Sequence, residues 1–91
     1  MELFPVGFDN YVSVSRLVAI ANPSSLPVKR MVRQAQEKGM VVDLTSGRKV
    51  KAVLVMDTGH LILATRHPDT IAGRANALVE KPLTGPQEDN P

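Results

Sequence analysis

Between Asn22-Pro23 and Gly39 the apolar period of this chain switches from two to 3.6 and back again. Val28, Met31, Val32 and Ala35 recur at i, i+3, i+4 and i+7, which predicts an amphipathic helix over Ser25–Lys38. Ser24 or Ser25 can cap its first turn. Pro27 is tolerable there because its position needs no intrahelical amide, and Gly39 suits the residue just past the end. Before this helix, the β-branched run Tyr11–Ile20 reads as a strand. After it, Met40–Thr45 and Arg48–Met56 are expected as strands around a Ser46-Gly47 turn, and His60–Arg66 follows Asp57-Thr58-Gly59. Two short turns in succession predict an antiparallel meander. A second helix opens at His67-Pro68-Asp69 and keeps helical spacing through Ile71, Ala72, Ala75, Leu78 and Val79.

The expectation is an α+β fold: an antiparallel sheet of about four to five strands with two helices packed on one face. The order is β-β-α-β-β-β-α, with Glu2–Val6 supplying the first strand. The other face would then be solvated or covered by a neighbouring subunit. Residues 1–80 are expected to form a single domain. Residues 81–91, rich in proline, glycine and acidic or amide side chains, are expected to be a disordered tail.

A chain of 91 residues builds only a modest core, so self-assembly is a natural supplement. The absence of cysteine removes disulfides, thiolate zinc sites, iron–sulfur clusters and thiol catalysis, and fits a reducing, cytoplasmic setting. Met1-Glu2-Leu3-Phe4-Pro5 shows no basic segment leading into an apolar run, so no signal peptide is expected. Arg16, Asp43 and Asp57 interrupt the apolar stretches well short of the roughly 20 residues of a membrane span. A small soluble protein without a membrane partner is expected.

The net charge of +2 averages over a strong asymmetry. Residues 16–51 hold eight basic and two acidic residues, +6, while each flank carries −2. Lys29, Arg30 and Arg33 project from the side of the helix opposite its apolar stripe, and Arg48, Lys49 and Lys51 flank the Ser46-Gly47 turn. A glycine turn lifts cationic side chains clear of a sheet and lets backbone amides approach phosphate. Two such clusters suit a polyanion better than one small carboxylate; a merely solvated face is the competing reading. Arg16 falls, by strict alternation, on the face of Val12, Val14, Val18 and Ile20. Either it is a charge placed on the buried side for function, or a bulge near Ser13–Ser15 resets the parity and exposes it.

Phe4, Phe8 and Tyr11 are the only aromatics, and all precede the basic segment. Single-strand and RNA platforms interleave aromatic with basic residues, so contact with the duplex backbone is the better expectation. Asp57-Thr58-Gly59 after an apolar strand has the form of an aspartic-protease motif. Only 14 residues separate it from Ile71-Ala72-Gly73, too few for the intervening strands, and a hairpin turn explains the tripeptide. His60 and His67 fall on opposite faces of a strand and cannot jointly hold a metal. No enzyme, cofactor, metal site or small-molecule substrate is expected.

The motifs also run in a recognisable order: Val6-Gly7-Phe8-Asp9-Asn10-Tyr11-Val12-Ser13, Arg16, Pro23-Ser24-Ser25-Leu26-Pro27-Val28-Lys29-Arg30-Met31, Gly39-Met40-Val41-Val42-Asp43, Thr45-Ser46-Gly47-Arg48-Lys49, Val55-Met56-Asp57 and Pro68-Asp69-Thr70-Ile71. Together they resemble the RemA family of small bacterial regulators, also called extracellular matrix regulatory proteins, from about Leu3 to Arg74. The resemblance implies cytoplasmic DNA binding, activation of extracellular-matrix or biofilm genes, and ring-like homo-oligomers presenting basic side chains on the exterior. It matches Arg16 and the Gly47-Arg48-Lys49 turn to the family's DNA-binding residues, and Pro27 to a functionally important proline. The turn here, Arg48-Lys49-Val50-Lys51, has fewer arginines than the family often shows, and lysine gives point contacts where arginine gives a fork. An interaction ring without DNA is the alternative.

Overall fold

Nine short elements make up the computed structural model, which describes residues 2–77. Strands β1 (Leu3–Gly7) and β2 (Asn10–Ser13) form an antiparallel hairpin. A 3₁₀ turn at Val14–Arg16 leads into β3 (Leu17–Ala21), followed by helix α1 (Leu26–Glu37). Then come β4 (Val41–Asp43), β5 (Ala52–Met56), β6 (Leu61–Ala64) and helix α2 (Pro68–Ala77). The α+β class and both helices are as expected, and the strand order is close to it. The tail expected over 81–91, and the end of the second helix at Leu78 and Val79, lie outside the described residues.

Helix α1 forms where the stripe placed it. The Ser25 hydroxyl accepts the Val28 amide at 3.4 Å, and Pro27 sits in the first turn. At the other end the Met40 amide donates to the Ala35 carbonyl (2.8 Å) and the Gly39 amide to Gln36 (3.1 Å), the paired bonds of a Schellman stop.

Two features of the sheet differ from expectation. The strands divide into a two-stranded and a four-stranded sheet, the larger in order β3-β5-β6-β4. The meander is also corrected: β4 runs parallel to β6, Val41 opposite Leu61 and Asp43 opposite Leu63, so the Ser46-Gly47 turn joins strands that do not pair. Among the described residues the one hairpin of the larger sheet is β5–β6, closed at Asp57-Thr58-Gly59 by the Gly59 amide on the Met56 carbonyl. Strand β4 docks on the far edge of β6 because its alternate side is drawn under α1, where Val41 joins Val53, Leu61 and Leu63.

The helices lie on opposite faces of the sheet, correcting the single covered face. Along β5 and β6, Val53, Leu61 and Leu63 turn toward α1, packing on Ala35, Val28, Met31 and Val32. Ala52, Leu54 and Ala64 turn the other way, onto Phe4, Val6 and Val12 of the hairpin and Ile71 of α2. Both faces are therefore covered within one chain. Among the described residues the unpaired margins are the edges β3 and β4, where Val18 of β3 is 64% exposed.

The run Tyr11–Ile20 is not one strand. The 3₁₀ turn breaks it, the Ser13 and Ser15 hydroxyls meet at 3.1 Å, and an extra residue at Val18 shifts the β3–β5 register. Parity is reset, so Leu17 and Ile20 turn inward and Arg16 outward. The buried-face reading of Arg16 is thereby corrected, and its exposure has a backbone cause.

Candidate nucleic-acid interface

The link from β4 to β5 must cross one end of the sheet, and its local chemistry makes it rigid. Asp43 accepts both the Thr45 amide (2.9 Å) and the Thr45 hydroxyl (2.5 Å), and Thr45 is only 2% exposed. The next two residues are left-handed, Ser46 at φ 52° and Gly47 at φ 79°, and the Arg48 amide donates to the Thr45 carbonyl at 2.9 Å. This is a type I′ geometry, in which glycine at the second centre carries no steric cost. The chain then rejoins the sheet through the Lys51 amide on the Ala64 carbonyl. Val50 packs toward α1, so Lys49 and Lys51 on either side of it face solvent.

The two bonds from Thr45, the hydroxyl first and the amide second, hold the Asp43 carboxyl below its ordinary range. A depressed folded-state pKa contributes stability that is present above the unfolded value and disappears as pH falls through the folded one. Acidification is therefore expected to loosen this turn specifically. Amide exchange at Thr45 and Arg48 should accelerate below the ordinary aspartate range while the β5–β6 amides stay protected. Uniform acceleration across the sheet would contradict that.

Arg48, Lys49 and Lys51 line one shallow depression with Phe8 and Thr65. The Arg48 guanidinium lies over the Phe8 ring, 5.3 Å from its centroid. Arg66 lies near this turn without lining the depression: a Cβ built on Gly7 would stand 3.8 Å from its Nε. Phe8 was missing from the expected site. In sequence no aromatic interleaves with the basic residues; in space Phe8 does, brought in by the β1–β2 turn. The Gly7-Phe8-Asp9-Asn10 turn pattern was the signal that could have placed Phe8 at an exposed tip.

The other expected cations are dispersed. Lys29 faces the groove containing Pro23, Val32 and Val50, next to the loop. Arg30 and Arg33 are exposed on α1 outside the depression. Arg16 lies beyond the opposite end of β5, about 13 Å away along the strand at roughly 3.3 Å per residue from Ala52 to Met56. There its Nη1 donates to Asp57 Oδ2 at 3.3 Å, while the Asp57 amide donates to the Arg16 carbonyl at 2.8 Å. Both side chains are well exposed, 63% and 43%, so water screens the pair and leaves the guanidinium available to a competing anion. Pro27 sits in the first turn of α1 and Gly47 in the loop turn.

The sequence matches the RemA-like family, described as extracellular matrix regulatory protein A-like, over residues 3–75. The chain belongs to the RemA-like family. It is 49% identical over 76 residues to a protein of Acetivibrio thermocellus named "Putative regulatory protein", covering 84% of this chain and 82% of that one. A protein of Synechococcus elongatus with the same kind of name is 51% identical over 72 residues, 79% of this chain and 83% of its own. One from Thermoanaerobacter is 42% identical over 80 residues, covering 88% and 83%. Family and relatives mark this RemA-like chain as a regulatory protein, and their names are not those of enzymes.

The histidines of this RemA-like chain each have a local partner. His60 Nδ1 meets the Thr58 hydroxyl at 2.7 Å, and His67 receives the Asp69 amide at 3.4 Å. Among the described residues there is no cluster of three metal-ligating side chains, and no helix is long and apolar enough to cross a membrane.

Proposed function

We propose that this protein is a bacterial DNA-binding transcriptional regulator, an activator of extracellular-matrix or biofilm-type genes, that holds duplex DNA on the repeated basic surface of a ring-like homo-oligomer. The observation that carries the reading is the depression of Arg48, Lys49 and Lys51, whose lining among the described residues contains no acidic side chain. Three exposed cations at this turn, with Arg66 nearby, form a surface for a phosphate backbone. Lys29, Arg30 and Arg33 on α1 extend its positive field, and Arg16 supplies a second contact. Arg16 is too far from the loop to share one phosphate with it, so a continuous track needs neighbouring copies. Repetition also converts a weak monomer into a tight binder through effective concentration. The free margins at β3 and β4, with Val18 and Val42 exposed, offer edges for such contacts. Few side chains here could read base edges, so specificity is assigned to the shape and bendability of the duplex.

The test pairs two measurements on the full chain: particle mass in solution, and duplex affinity across a salt series. A multimer whose affinity falls steeply, by roughly 0.9 log unit per log unit of salt for each phosphate neutralised, is the expected result. The same multimer retaining no duplex at low salt would make it a protein-interaction assembly instead. A monomer indifferent to DNA overturns both.

A further inference from the structure

We propose that Phe8 is a positioning residue for DNA binding: its ring carries the Arg48 guanidinium and aims its free edge at a phosphate. This rests on the DNA reading above and deepens it. The β1–β2 turn is built at evident cost. Phe8 and Asp9 are both left-handed, at φ 52° and 62°, a region uncommon for bulky side chains and best served by Asn-Gly. Asn10 Nδ2 clamps the turn from below, donating to the Gly7 carbonyl at 3.0 Å and to the Phe8 carbonyl at 3.2 Å. Gly7, at φ 116°, lets the tip approach Thr65, just past the end of β6, so closely that a Cβ there would stand 2.8 Å from Thr65 Oγ1. All this places an aromatic ring, still 47% exposed, beside a loop forty residues away.

A ring left half in water adds little to a core, so the strain has another return. A cation–π contact at 5.3 Å holds the guanidinium over the ring and still leaves N–H donors directed away from the ring free for an anion. The contact and a phosphate fork are therefore compatible on one arginine. On an exposed turn, such a support limits the rotamers that Arg48 would otherwise lose on binding. Arg48 is the cation that lies over the ring and the one with a forked set of donors, which assigns the role to it and not to Lys49 or Lys51.

The test compares Phe8→Gly, Phe8→Leu and Phe8→Trp in the wild-type and Arg48→Ala backgrounds. Duplex affinity at fixed salt is expected to fall about two- to five-fold per engaged contact in Phe8→Gly and Phe8→Leu, and to be kept by Phe8→Trp. Phe8→Gly should leave the melting temperature unchanged or raised, since glycine relieves the left-handed strain, so affinity and stability part company. In the Arg48→Ala background the same substitution should cost nothing more. Wild-type affinity in Phe8→Gly, or an equal loss in both backgrounds, overturns the proposal. Ring-current shifts of the Arg48 δ protons read the stack without DNA. Their absence overturns the role of Phe8 alone, whereas shifts present in a wild type that binds no duplex overturn the DNA reading on which it rests.

Discussion

Alanine at both Arg48 and Lys49 is expected to lower duplex affinity by about ten-fold or more for each engaged subunit, because two of the three cations in the depression are removed. The salt slope should fall by about 2 per engaged subunit at the same time, at roughly 0.9 per lost phosphate contact. In an assembly the losses multiply, so at moderate salt binding should all but disappear. Both side chains are exposed, so the melting temperature should stay near that of the wild type. Fluorescence anisotropy with a labelled duplex over a salt series checks all of this. An unchanged slope would show that the phosphate contacts lie elsewhere.

The largest expected effect on stability is at Phe4. Its side chain is 0% exposed and sits between the hairpin and the faces of Leu54, Ala64 and Ile71. Phe4→Ala should cost about 3–5 kcal/mol, the lost transfer free energy plus that of the cavity left behind. Against a total of roughly 5–15 kcal/mol for a small domain, that is a large fraction of the fold. Urea unfolding should show the midpoint collapse. A variant of near wild-type stability would mean that the β1–β2 hairpin is not part of the core. Phe8, four residues on, has the same side chain and the opposite expectation: little stability lost and binding reduced. Burial, not residue type, separates the two.

An element is legible in the sequence when the residues that decide it lie close together along the chain. Helix α1 was legible from Ser25 to Gly39 because its stripe, cap and stop all act within one or two turns. The Ser46-Gly47 turn and the Asp57-Thr58-Gly59 hairpin were legible for the same reason, and so was the concentration of positive charge between Arg16 and Lys51. Arg16 marks where local reading became ambiguous. Alternation extrapolates only while a strand is unbroken, and the 3₁₀ turn at Val14–Arg16 has no strong sequence mark beyond two serines. The parallel docking of β4 on β6 could not be read from adjacent runs, because hairpin pairing is the default for strands joined by a short turn.

The sequence by itself determined the two helices, the position of the basic turn and the family, since propensity, capping and motif order are short-range properties of the chain. Tertiary structure alone decided which cations act together and what supports them. It set Arg16 apart from Arg48 at the two ends of β5 and brought Phe8 beneath Arg48 across forty residues. Those juxtapositions follow from packing β5 and β6 between α1 and the β1–β2 hairpin with α2, a long-range burial that no local pattern encodes.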